Sequence, residues 1–226
     1  MDENKIFDIK KAKFYLPNYP VDSISQCMVG PKDYWDRMAL NLINKYLPDG
    51  AVILDIGANV GSHTVYWALE RQAKKIYSFE PLGQTFEVLS KNIELNNLQD
   101  FVTISNKGLS NEKCKAKVRL FWEQNVGGTS FMKSADGEHD FVPLDSIDIP
   151  EKIDLIKIDV EGHEIEVLEG ARDTIYRNKP IIVIETFDKK ERVSNFLFTL
   201  GYELVDTIRE GEDYIFKYND INSFCR

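Results

Sequence analysis

Apolar and polar positions along this chain follow two alternating rhythms. From Ala51 onward, short continuous apolar runs alternate with stretches in which apolar residues recur every three or four positions. The first kind reads as strands and the second as amphipathic helices. The pattern predicts strands at 51–57, 75–79, 102–105, 153–160 and 180–186. Helices are expected at 61–71, at 82–96 with Phe86, Leu89 and Ile93 on one face, at 163–177 and at 189–200. In the third helix Ile165, Leu168, Ala171 and Ile175 face the sheet, although Gly170 inside it costs ~1 kcal/mol relative to Ala. Two last strands, 203–207 and 214–218, are joined by the turn-rich stretch 209–213. That connection is too short for a crossover helix, so the pair must be antiparallel.

Five parallel strands with intervening helices, closed by a hairpin, make an α/β fold: a Rossmann-like, seven-stranded, doubly wound sheet with a C-terminal antiparallel hairpin. Two segments stand outside this repeat. Residues 1–50 are irregular, with Pro17, Pro20 and Pro31 followed by an amphipathic helix at about 33–46. They are expected to cover one end of the sheet, as an extension to a main domain at 51–226. The stretch 109–143 is long for a simple connection, and its place marks it as a substrate lid. Within it, 115–122 suits one arm of a hairpin and 126–130 a flexible turn.

Composition narrows the function classes. With 43% hydrophobic and 12% aromatic residues in 226, the chain reads as an ordinary soluble protein. Its net charge of −9 argues against a broad nucleic-acid footprint, which needs clustered Lys and Arg. Cys27, Cys114 and Cys225 are sparse and widely spaced, so a reducing compartment is expected and a structural zinc site is not. No leader and no apolar run long enough for a membrane span is readable, and the expected location is cytoplasmic.

Chemistry concentrates at three strand ends. Asp55-Ile56-Gly57-Ala58-Asn59-Val60-Gly61 follows the first main strand and opens a helix. Glycines there let the backbone turn sharply and approach a ligand, while the helix start offers unpaired N–H groups. A dinucleotide site would show Gly-x-Gly-x-x-Gly. Here Asp55 takes the place of the first glycine, which repels a pyrophosphate and suits a ligand with an ammonium and a sulfonium, S-adenosylmethionine. Glu80 ends the second strand 19 residues after Gly61, where a carboxylate accepts from both hydroxyls of a ribose. Asn106, after the third strand, falls where adenine contacts arise or else is a simple turn former.

The fourth strand reads Asp154-Leu155-Ile156-Lys157-Ile158-Asp159-Val160-Glu161-Gly162-His163-Glu164. Alternation sets Lys157, Asp159 and Glu161 on one face. A lysine in a central strand must pair with a carboxylate, with Asp159 nearest and Asp55 or Glu185 on flanking strands as other partners. Such a cluster marks either a binding crevice or a structural ion pair.

The runs DLIKIDVEGHEIEVLEGA (154–171), DIGANVGSHT (55–64) and SFEP (78–81) resemble the FkbM-type methyltransferase family, over roughly 52–216. The resemblance implies a class I methyltransferase fold and S-adenosylmethionine-dependent methylation of an oxygen, commonly on a sugar or polyketide-like product. By position, Gly57, Asn59 and Gly61 would line the cofactor loop, and Glu80 would hold the ribose. Lys157, Asp159, Glu161 and Glu164 would form the signature, while Leu144-Asp145 and Asn125-x-Gly127 also resemble family positions.

A hydroxyl acceptor needs a base or a metal, because a protonated alcohol is a poor nucleophile. Asp159 is expected nearest the transferred methyl. His163 has the pKa suited to take the proton, with Glu161 and Glu185 as other bases. Asp159, Glu161 and His163 could converge on a metal, although alternation and the helix start point them apart; no metal is assigned. Glu164 falls in the first helical turn, where its charge complements the dipole. His63 lies beside the cofactor loop or packs under its helix, and His139 reads as loop. Phe121, Trp122 and Phe131 would stack on a sugar, cover the site or join the core. The expected partner is a hydroxylated small molecule or glycan, the rivals being an RNA or protein methyltransferase and a non-catalytic S-adenosylmethionine-binding subunit.

Overall fold

A computed structural model describes residues 2–208 and 212–220, so the tip of the last hairpin and Cys225 lie outside the described residues. The chain opens with β1 (Ile6–Ile9), β2 (Ala12–Tyr15), α1 (Ser23–Val29) and α2 (Arg37–Ile43). The α/β repeat follows as β3 (Val52–Ile56), α3 (Ser62–Leu69), β4 (Lys75–Phe79), α4 (Gly83–Leu95) and β5 (Val102–Ser105). Next come four strands, β6 (Gly108–Leu109), β7 (Cys114–Leu120), β8 (Ser130–Lys133) and β9 (His139–Val142). The repeat resumes with β10 (Leu155–Ile158), α5 (Glu164–Gly170), α6 (Arg172–Asn178), β11 (Ile181–Glu185) and α7 (Lys190–Thr199). It ends with β12 (Tyr202–Ile208) and β13 (Asp213–Tyr218).

Among the described residues, seven strands form one sheet in the order β12-β13-β11-β10-β3-β4-β5. The five inner-repeat strands pair in parallel, and β13 runs antiparallel to both β11 and β12. The chain first moves outward through β4 and β5, then crosses back to β10 and β11 on the other side of β3. The switch point between β3 and β10 opens a crevice at the carboxyl ends of the strands.

Both faces of the sheet are packed, which is why the central strands read as continuous apolar runs. Ile53, Ile76, Leu155 and Ile215 face one core, with Val65, Trp67, Leu89 and Ile93 from α3 and α4. Leu54, Ile156, Ile158, Ile182 and Ile184 face the other, with Ile165, Leu168, Ile175 and Leu197. The first core also contains Ile9, Phe14, Leu16, Met28 and Leu40, so residues from the amino-terminal extension share it. Asn92 and Asn96 of α4 accept from the backbone N–H groups of Tyr15 and Lys13 at 2.6 and 2.9 Å, which satisfies the edge of β2.

Several elements differ from the sequence expectation. The hairpin β1–β2 and helix α1 occupy a stretch read as irregular, and the helix expected at 33–46 is only Arg37–Ile43. The expected helix 163–177 is two helices, broken at Ala171 (φ −112°, ψ 6°). The cause is close packing: a Cβ on Gly170 would lie 1.9 Å from the carbonyl oxygen of Ser110. The stretch 109–143 forms, with Gly108, a second sheet in the order β6-β9-β7-β8, in which β7 and β8 pair antiparallel. His139, read as loop, starts β9.

Candidate active site

The crevice at the switch point holds a cavity of about 280 Å³. Its floor comes from the ends of β3, β4 and β10. After Ile56 the chain turns at Gly57 (φ 80°), where a Cβ would lie 1.8 Å from the carbonyl oxygen of Asp159. Only glycine permits so close an approach of the two strand ends. The N–H groups of Gly57 and Ala58 both donate to the Phe79 carbonyl at 3.0 Å, locking the loop to β4.

Glu80 is 8% exposed and faces this cavity. Its Oε2 accepts the Asn59 N–H at 3.0 Å and its Oε1 the Leu82 N–H at 2.9 Å. Burial pushes its carboxyl up to about 7, against the opposing pull of those two N–H groups. Asn59 also faces the cavity, and its buried Oδ1 has no hydrogen-bond partner among the described residues.

Asp55, Gly61 and Asn106 do not face the cavity. Asp55 is fully buried beneath the loop, accepting from Thr64 Oγ1 at 2.6 Å, with Oδ1 3.6 Å from Lys157 Nζ. Asn106 donates to the carbonyls of Glu80 and Pro81 at 2.8 and 3.2 Å and so braces the tip of β4.

Lys157 is 7% exposed and sits opposite Asp55 in the β3–β10 register. Its Nζ reaches Asp159 Oδ2 at 3.0 Å and the Gly57 carbonyl at 3.3 Å. Burial alone would lower its pKa, but the charges of Asp159, Asp55 and Glu185 outweigh burial and raise it, so the ammonium stays charged. The pairing is thus shared between the two aspartates rather than held by one.

Strand β10 ends at Ile158, so alternation does not carry through to Glu161. The chain instead passes through two left-handed residues, Glu161 (φ 51°) and Gly162 (φ 98°). Asp159, Glu161, His163 and Glu185 all face the cavity nonetheless. Among the described residues, no group of three His, Cys, Asp or Glu side chains is arranged to hold a metal ion.

His163 lies under the second sheet, with Nε2 3.0 Å from Ser110 Oγ, Nδ1 3.8 Å from Glu166 and its ring edge-on to Phe141. Burial lowers its pKa, Lys189 lowers it further, and Glu166 opposes them. His63 also faces the cavity. Its Nε2 lies 3.1 Å from the Trp35 carbonyl, which can only accept, so Nε2 carries the proton. Burial and the Lys157 charge lower its pKa.

Glu164 accepts the Gly162 N–H at 2.6 Å and lies 3.6 Å from Lys189 Nζ. Being in the first turn of α5, it also stands where the helix dipole favours a negative charge.

The roof joins the amino-terminal extension to the stretch 109–143 expected as a lid. Ser23, Ile24 and Trp35 of the extension face the cavity beside Asn125, Val126 and Gly127 of the stretch between β7 and β8. Asp22 joins the two: Oδ2 caps α1 through Ser25 N at 2.8 Å, while Oδ1 accepts from Val126 N at 3.2 Å. Ser23 N donates to the Gln124 carbonyl at 2.8 Å. Phe131 faces the cavity, whereas Phe121 and Trp122 are exposed outside it. His139 Nδ1 donates to the Pro81 carbonyl at 2.9 Å, which ties the second sheet to the tip of β4.

A family model described as the methyltransferase FkbM domain matches residues 55–216. The chain belongs to this family. Methyltransferase 1 of Beauveria bassiana is 29% identical over 169 residues, covering 63% of this chain and 67% of that one. The hexuronic acid methyltransferase AglP of Haloferax volcanii is 23% identical over 180 residues, covering 77% and 72%. The crystal structure of methyltransferase FkbM from Methylobacillus flagellatus KT shares the fold, with a TM-score of 0.56 at 18% identity. The match covers 75% of this chain and 44% of that one, so the chain spans less than half of that protein. The sheet is that of a Rossmann-like class I methyltransferase, and the FkbM chain is an S-adenosylmethionine-dependent methyltransferase. No helix among the described residues is long and apolar enough to cross a membrane.

Proposed function

We propose that this FkbM methyltransferase methylates a hydroxyl oxygen of a sugar, a glycan or a small hydroxylated natural product. The observation that carries the reading is His163, a histidine kept neutral by burial, facing the same cavity as the Glu80–Asn59 pair. The likeness to a hexuronic acid methyltransferase supports a sugar acceptor.

The residues present suit S-adenosylmethionine. Glu80 keeps lone pairs for two ribose hydroxyls after accepting two backbone N–H groups, and the orphaned Asn59 Oδ1 offers a further acceptor. Gly57 brings the Asp159 backbone against the loop, and Asp159 is assigned beside the transferred methyl. Asp55, Gly61 and Asn106 support these groups from behind. The cofactor supplies a methyl on a sulfonium, which makes its sulfur a good leaving group.

His163 takes the acceptor proton as the new C–O bond forms. Nε2 of the ring lies 3.0 Å from Ser110 Oγ, which donates to Asn111 Oδ1 at 3.4 Å, and Nδ1 lies 3.8 Å from Glu166. Glu166, 3.8 Å from Nδ1, balances the charge of the imidazolium that results. Glu161 and Glu185 orient the acceptor by accepting from its other hydroxyls.

Calorimetry with S-adenosylhomocysteine should give micromolar binding to the wild type and none to Glu80→Ala. Transfer of labelled methyl to a panel of glycans and small polyols should then find the acceptor, and His163→Ala should lower kcat about 10²-fold. Wild type that binds no S-adenosylhomocysteine, or that methylates only nitrogen acceptors, would overturn the reading.

A further inference from the structure

The turn after β10 carries the reaction end of the cavity, yet packing does not hold it. Gly162 is exposed at φ 98°, and a Cβ built on it would meet nothing within 4 Å. Its neighbour Glu161 sits at φ 51°, a conformation that costs a non-glycine residue about 1 kcal/mol or more. A left-handed pair relaxes unless contacts over-determine it.

Two side chains supply those contacts. Glu164 Oε1 accepts the N–H of Gly162 at 2.6 Å, and the ammonium of Lys189 donates to the carbonyl of Gly162. Both peptide groups flanking Gly162 are therefore gripped. The grips are joined, because Lys189 Nζ lies 3.6 Å from Glu164 Oε2, an atom that is buried and has no hydrogen-bond partner among the described residues. Glu164 is 2% exposed, so the ion pair works where solvent screens it poorly. Lys189 comes from a different part of the chain, at the start of α7, where its own N–H meets Thr186 Oγ1 at 3.3 Å.

We propose that Lys189, which does not face the cavity, is a positioning residue: with Glu164 it clamps the Gly162 turn and so presents Glu161 and His163 to the acceptor. This role rests on the assignment of His163 as base. The same ammonium bears on the base electrostatically. The groups that face His163 are Ser110 just after β6, Phe141 of β9, Glu166 of α5 and Lys189 at the N-cap of α7. Of these Lys189 carries the positive charge, and it favours the neutral ring.

The test compares Lys189→Met, which keeps an unbranched stem without the charge, with Lys189→Arg, which restores a cation. Lys189→Met should lower kcat about 10²-fold while S-adenosylhomocysteine affinity stays within about twofold of wild type. The acidic limb of its kcat–pH profile should move to higher pH, and Lys189→Arg should recover most of the rate. An unchanged kcat, a loss of affinity parallel to the loss of rate, or no recovery with Arg would overturn the clamp. NMR titration of the His163 ring, one of three histidines, needs no acceptor. It should show a higher pKa in Lys189→Met than in wild type. An unshifted ring overturns the electrostatic part even if no acceptor is found, whereas failure of wild type to methylate any hydroxyl counts against the proposed reaction and not against the clamp.

Discussion

The backbone N–H of Asn59 donates to Oε2 of Glu80 at 3.0 Å, so the turn after β3 and the tip of β4 form one unit. A ligand that uses the Glu80 carboxylate therefore also reports on the loop. Burial holds this carboxyl at about 7, and two donating ribose hydroxyls require it ionised. S-adenosylhomocysteine affinity should thus rise with pH and level off above about 7, falling about tenfold by pH ~6. In the unliganded protein the sign reverses. The folded chain holds this proton more tightly than the unfolded one, so the contribution of Glu80 to stability falls as pH rises from 4.5 to about 7. Calorimetry across that range checks the first statement, and a flat affinity profile would place the ribose elsewhere.

Gly57→Ala should cost about 3 kcal/mol or more, because the new methyl would meet the Asp159 carbonyl and the residue would keep a positive φ. Urea unfolding measures the cost. A variant as stable as wild type would mean that β3 and β10 do not approach so closely in solution.

Gly170→Ala separates local from tertiary control. Helix propensity alone gives Ala an advantage of about 1 kcal/mol. The Ser110 carbonyl, 1.9 Å from the would-be Cβ, reverses that sign, and a net loss of about 2 kcal/mol is expected in urea. A gain in stability would contradict the packing of α5 against the segment after β6.

Lys157→Met should be destabilising by about 3–5 kcal/mol, since it removes the cation shared by Asp55 and Asp159 inside the sheet. Adding Asp55→Asn should recover part of the loss. A double-mutant cycle with no coupling between positions 55 and 157 would reduce their 3.6 Å approach to mere proximity.

The parallel strands were legible because each is buried on both faces, and runs such as Leu155–Ile158 carry that fact in their composition. The turn after β3 was legible for a local reason, a strand followed at once by glycines and a helix start. What failed depended on partners distant in sequence. Ala171 breaks a good helical pattern because Ser110, some sixty residues earlier, presses on Gly170. The hairpin β1–β2 has strands of only four residues, and alternation over Ala12-Lys13-Phe14-Tyr15 was the signal that could have found it. Alternation does not extend to Glu161, because the strand ends at Ile158 and a left-handed turn follows. Trp35 and Ile24 reach the cavity only through tertiary contacts, and nothing in their immediate neighbours announces it.

The Asp22–Val126 bond makes one piece of a roof drawn from two distant parts of the chain. The family model matches residues 55–216, which include Val126, while Asp22, Ser23 and Ile24 lie before them. One side of the roof thus lies inside the matched stretch and the other before it. A change at Asp22 would reach the cavity through its bond to the Val126 N–H without altering any residue within that stretch.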